Sequence, residues 1–157
     1  MEIPTSSPLY RDTGVLIVDD QPQMRQVVRT VLKYIGVKDI AEAEDGFAAL
    51  KILYERNRPS QGIPASHIKP VDIVICDWMM PSMNGVELLS EVRKDANLAK
   101  IPFVMLTGEN ERYPIMKAIE EGVDEYIIKP FSTKTLEEKL RTLLEALAEK
   151  RITSKLT

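Results

Sequence analysis

Five residues of this chain have types and positions suited to shared chemistry. Asp19 and Asp20, Asp77, Thr107 and Lys129 each stand at the end of a short apolar run. Taken singly, each has a plain structural reading. An aspartate after a strand caps a helix or shapes a turn, Lys129-Pro130 is a turn dipeptide, Thr107 ends its strand, and Asp19-Asp20 is a solvated acidic corner. Together they amount to three carboxylates, a hydroxyl and an ammonium. Carboxylates held within a few ångströms repel one another unless a cation intervenes or a proton is taken up. Hard oxygen donors with room for water suit magnesium, which binds through one or two carboxylates and keeps several waters. A carboxylate in such a place can attack phosphorus to give an aspartyl phosphate. The ammonium and the hydroxyl would then offset charge on the phosphoryl oxygens.

That chemistry needs elements that bring the five residues to one place. Val15–Val18, Val71–Cys76, Phe103–Leu106 and Tyr126–Ile128 are compact apolar runs, and a weaker one near Val37–Ala41 leads into the acidic stretch Glu42–Asp45. Unbroken rather than alternating runs indicate strands covered on both faces, the habit of parallel sheets. Between them lie helical patterns. Met24, Val27, Val28, Val31, Leu32 and Ile35 recur at three-and-four spacing. Pro22 suits the first turn of that helix and Gly36 its end. Phe47, Leu50, Leu53 and Tyr54 mark a second helix; Val86, Leu89 and Val92 a third, with Asn84 as cap. Ile115 and Ile119 mark a shorter fourth, and Leu136, Leu140, Leu143, Leu144 and Leu147 a long fifth opened by Ser132. Five strands alternating with five helices, joined by right-handed crossovers, predict an α/β fold with a doubly wound five-stranded parallel sheet. The carboxyl ends of such strands converge on one crevice, where ligands bind.

Composition sets the outer bounds. The chain has 157 residues, 44% hydrophobic and 29% charged, as in an ordinary globular domain. Net charge is −3 with no block of basic residues, so nothing supports nucleic-acid binding. No apolar run approaches the ~20 residues that span a bilayer, and no signal peptide is visible in the polar stretch Met1–Thr13. The single Cys76 rules out an internal disulfide and fits a reducing compartment, so a cytoplasmic address is expected. Its expected role is packing within its strand. The expected divisions are an N-terminal extension (1–13), one domain (14–150) and a short tail (151–157). A proline-rich loop insert at about 57–70 should lie at the amino edge of the sheet, remote from the chemistry, with His67 as a solvated loop residue.

Val-Asp-Asp at 18–20, Cys-Asp-Trp-Met-Met-Pro-Ser-Met-Asn-Gly at 76–85, Leu-Thr-Gly at 106–108 and Tyr-Ile-Ile-Lys-Pro-Phe at 126–131 resemble the response-regulator receiver family of two-component signalling. The resemblance covers about Gly14–Leu147. It implies the (βα)5 flavodoxin-like, CheY-like fold with strand order 2-1-3-4-5, and Asp77 as the acceptor of a phosphoryl group from a histidine kinase or histidine phosphotransfer protein. It implies magnesium held by the Asp20 and Asp77 side chains and the Met79 carbonyl, with Asp19 acting largely through water. It also implies a cis Lys129-Pro130 peptide, a turn at Pro81 and Gly85, and a switch in which Thr107 moves and Tyr126 turns inward. The fourth and fifth helices with the last strand would present the altered face to a downstream partner, as a monomer or a phosphorylation-dependent dimer. Gly108 stands where the family commonly has alanine, and Met79 and Glu109 where phosphoryl lifetime is tuned.

Other classes fit less well. An aspartate-nucleophile phosphatase wants a second aspartate where Met79 stands. A non-phosphorylated adaptor would not need the full Asp20, Asp77, Thr107 and Lys129 set. No Gly-x-x-x-x-Gly-Lys-Ser/Thr loop follows the first strand, and its acidic turn would repel the phosphate of FMN. The expected function is therefore a switch that catalyses only its own phosphorylation and dephosphorylation. It is either a stand-alone regulator or a receiver excised from a longer chain with an output domain.

Overall fold

The computed structural model describes residues 10–58, 69–108 and 112–156. Five strands alternate with five helices: β1 Gly14–Val18, α1 Pro22–Ile35, β2 Asp39–Ala43, α2 Gly46–Asn57, β3 Ile73–Asp77, α3 Gly85–Lys94, β4 Phe103–Gly108, α4 Arg112–Glu120, β5 Glu125–Lys129 and α5 Thr133–Leu156. All pairings are parallel and the order is β2-β1-β3-β4-β5, the expected doubly wound sheet.

Alternate residues of each central strand feed opposite faces, which is why their runs are continuously apolar. Leu16, Val18, Val74, Cys76, Phe103 and Met105 pack with Leu50, Leu53, Leu88, Leu89 and Ala118 from α2, α3 and α4. Val15, Ile17, Ile73, Ile75, Val104 and Leu106 pack with Val28, Leu32, Leu136 and Leu140 from α1 and α5. Each Val, Leu, Ile, Phe or Met among them stabilises the fold by roughly 1.5–3 kcal/mol relative to exposure. The edge strands β2 and β5 are only part-buried, so coverage on both faces holds for the three central strands alone. Cys76 is fully buried in β3, a packing residue, and burial pushes its thiol well above its ordinary range.

Several boundaries differ from those the sequence suggests. Val37 does not begin β2. Its N–H donates to the Leu32 carbonyl, beside two bonds from the left-handed Gly36 (φ 120°), so it closes the C-terminal cap of α1. The strand therefore starts two residues later and takes in Glu42, opposite Ile17. Val71 lies outside β3 because the Asn57 side chain takes both of its backbone groups, at 3.0 and 2.9 Å. Asp77, Thr107 and Lys129 are last or near-last residues within strands rather than residues following them.

Helix starts follow local chemistry. Asn84 caps α3 in a reciprocal capping box with Glu87, Asp45 caps α2, and the Ser132 hydroxyl accepts from Thr135 N–H at α5. Arg93, near the end of α3, donates to the carbonyls of Ala99, Ile101 and Gly122 and pairs with Asp124 at 2.9 Å. Asp124 also accepts from Phe103 N–H, at the start of β4.

The termini differ from expectation as well. Tyr10, inside the expected extension, is buried against the α1/α5 layer, and α5 continues through Leu156, where a tail was expected. Of the expected insert, Asn57 and Lys69 lie at the amino edge, tied to Val71 and to Arg56. Residues 59–68, including His67, lie outside the described residues, as do 1–9 and Glu109.

Candidate functional site

Register determines which of the candidate residues meet. Val18 of β1 pairs with Cys76 of β3, so the next residues, Asp19 and Asp77, stand side by side. One oxygen each from Asp19, Asp20 and Asp77 lies within 4.8 Å of the others. Leu106 pairs with Asp77, which puts Thr107, fully buried, one step past the end of β3. Lys129 pairs with Gly108, two strands away from Asp77. Strands are spaced ~4.8 Å apart, so only a long side chain can bridge that gap. Its ammonium lies 2.8 Å from Asp77 Oδ1.

The Asp19 carboxylate is buried. Its Oδ1 accepts the Gln21 N–H at 2.8 Å, while Oδ2 has no hydrogen-bond partner. Burial pushes this carboxyl up to about 6, the Gln21 N–H opposes that, the Asp77 charge adds to it, Lys129 pulls it back, and Asp20 adds a smaller rise. A buried oxygen lacking a donor, beside two further carboxylates, suits a hard divalent cation. The donor set is all oxygen, as magnesium prefers. Asp20 is exposed at the mouth of the cluster.

The remaining candidates lie on the segment after β3 and on β5. Met79, two residues past Asp77, has a side chain 60% exposed. Tyr126, three residues before Lys129 in β5, is half-buried against the α2/α3/α4 layer. The Lys129-Pro130 peptide is cis. In the loop after Asp77, Gly85 N–H donates to the Trp78 carbonyl at 2.9 Å. A Cβ on Gly85 would sit 2.6 Å from Met105 Sδ and 2.7 Å from the Asp77 carbonyl, so only glycine lets α3 start this close to Asp77. Ser82, in the same loop, holds a left-handed φ of 68°.

Sequence reasoning missed Arg25. Its Nη1 donates to the Asp19 carbonyl at 2.5 Å and its Nε to Glu42 at 3.2 Å. No local signal marks it, because both contacts depend on how α1 lies against the turn after β1 and against β2. Glu42, in the acidic stretch after the weak apolar run, is a residue of β2 that accepts from Arg25 and Arg29 of α1.

A family model for the response regulator receiver domain matches residues 15–141. The chain belongs to this family. It is 37% identical over 139 residues to chemotaxis protein CheY-3 of Vibrio cholerae, covering 88% of this chain and 97% of that protein. It is also 37% identical to chemotaxis protein CheY of Pseudomonas aeruginosa, over 83% of this chain and 95% of the relative. Among solved structures, this receiver domain resembles V. cholerae CheY4 with a TM-score of 0.68 at 29% identity, covering 83% of this chain and 97% of that one. It resembles the receiver domain of the response regulator AraT from Geobacillus stearothermophilus with a TM-score of 0.70 at 28% identity, covering 88% and 98%. Among the described residues, no helix of this receiver domain is long and apolar enough to cross a membrane.

Proposed function

We propose that this receiver domain is a magnesium-dependent switch in which Asp77 accepts a phosphoryl group from the histidine of a kinase or phosphotransfer protein. An Asp77 carboxylate oxygen attacks phosphorus, the P–N bond breaks, and its electron pair leaves with the imidazole. Water later hydrolyses the aspartyl phosphate and returns the carboxylate. A magnesium ion held by Asp19, Asp20 and Asp77, with the Met79 carbonyl, would neutralise charge between the carboxylates and the incoming phosphoryl oxygens.

The observation that carries this reading is the Lys129 ammonium 2.8 Å from an Asp77 that also borders the Asp19 and Asp20 carboxylates. Lys129 holds the acceptor before transfer and offsets phosphoryl charge after it. Thr107 donates its hydroxyl to the new group, and Tyr126 turns further into the layer it already half enters. The chain then acts on no separate substrate. Its readout is the face of α4, β5 and α5, where Met116, Ile119 and Ile128 are 63%, 57% and 41% exposed. Added phosphoryl charge of nearly two units at Asp77 would redistribute that face toward a downstream protein.

Intact mass after treatment with acetyl phosphate and magnesium tests the reading. One phosphoryl group should be gained, and both Asp77→Asn and EDTA should abolish the gain. Undiminished uptake by Asp77→Asn would remove Asp77 from the role of acceptor.

A further inference from the structure

We infer that Arg25 is a positioning residue that fixes the Asp19–Asp20 peptide and thereby sets the affinity of the acidic cluster for a divalent cation. The inference rests on the cation-binding reading of that cluster. Three bonds hold the turn after β1. Asp19 N–H donates to the Ala43 carbonyl at 3.1 Å, Gln21 N–H to Asp19 Oδ1, and Arg25 Nη1 to the Asp19 carbonyl. Only the third fixes the plane of the peptide from which Asp20 projects. Asp20 itself is exposed, so its aim at the cluster depends on that backbone.

Arg25 is itself held. Glu42 accepts from its Nε, and the other Glu42 oxygen accepts from Arg29 at 2.8 Å, so the guanidinium is tied to β2 at one end and to the acidic turn at the other. A planar fork with divergent donors can satisfy two such acceptors at once, whereas an ammonium cannot match that geometry. The Arg25 side chain is 18% exposed, in keeping with a fixed rather than a solvated group.

The sign of the effect separates positioning from charge. Removing a nearby positive charge, taken alone, makes an acidic cluster attract a cation more strongly. Loosening the group that orients a ligand makes it bind more weakly, commonly 10- to 100-fold. Arg25→Met should therefore weaken magnesium binding, about tenfold, against the electrostatic direction. Arg25→Lys keeps the charge and should also weaken it. Arg29→Met removes an equal charge from the same Glu42 but touches nothing in the Asp19 turn, and should not weaken it.

The test is magnesium titration of the full chain, followed by the fluorescence of Trp78, its only tryptophan, and by calorimetry, with melting in EDTA recorded for each variant. Weaker binding in both Arg25 variants, with Arg29→Met unweakened, supports the inference. Parental affinity in either Arg25 variant overturns it, whether or not the melting temperature falls. So does an equal loss in Arg29→Met, which would indicate general loosening of α1. Failure of the parent chain to bind magnesium would instead overturn the reading of the cluster on which the inference stands.

Discussion

Asp19→Asn isolates the electrostatic cost of the acidic cluster. The Asp19 carboxyl, ordinarily near 3.8, is raised to about 6 in the fold, first by burial and then by Asp77 and Asp20. A group raised this way binds more protons folded than unfolded between those two values, so stability falls as pH rises from about 4 to about 6 and is level above. At about 1.4 kcal/mol per pH unit, the ionised carboxylate weakens the metal-free fold by about 3 kcal/mol at pH 7. Asparagine keeps an oxygen for the Gln21 N–H and carries no charge. The variant should therefore exceed the parent by about 3 kcal/mol at pH 7 in EDTA, a rise in Tm of about 6–12 °C for a domain of this size. Near pH 4 the gap should shrink below about 1 kcal/mol. Magnesium should close it from the other side, because a ligand that binds only the folded parent stabilises it by mass action. Urea denaturation at pH 4, 5, 6 and 7, with EDTA or magnesium, measures all of this. A variant less stable than its parent at pH 7 in EDTA, or a gap independent of pH, would refute the reasoning.

The loop after Asp77 gives two further expectations of opposite sign. Gly85→Ala forces a methyl against Met105 and the Asp77 carbonyl and should cost about 1–3 kcal/mol in urea denaturation. If Asp77 is the acceptor proposed above, the substitution should also slow phosphorylation by acetyl phosphate, and an unchanged rate would mean that the end of β3 does not depend on that close approach. Ser82→Gly relieves a left-handed residue (φ 68°) and should stabilise by up to about 1 kcal/mol, partly cancelled by the freer unfolded chain; a loss of stability would contradict this.

The sheet was legible because its central strands are buried on both faces, so Val15–Val18 and Phe103–Leu106 declare themselves without partners. The cluster was legible because strand ends of a parallel sheet converge, and Asp19, Asp77 and Lys129 needed only to be counted from those ends. What stayed hidden depends on partners distant in sequence. Val37 is apolar enough for a strand, but the cap after Gly36 claims its N–H. Val71 reads as strand until Asn57, fourteen residues earlier, takes both its backbone groups. Arg25 looks like one more surface charge of an amphipathic helix, because nothing local shows that α1 lies with its first turn over the Asp19 carbonyl.

The Arg93 staple has a mechanical consequence. It grips the corner between α4 and β5 through Gly122 and Asp124 while anchored in α3 and in the carbonyls of Ala99 and Ile101. That corner cannot slide without several bonds parting together. A displacement at the carboxyl end of β4 would therefore act on α4 as on a lever held near Gly122, with more travel at its Arg112 end than at its Glu120 end.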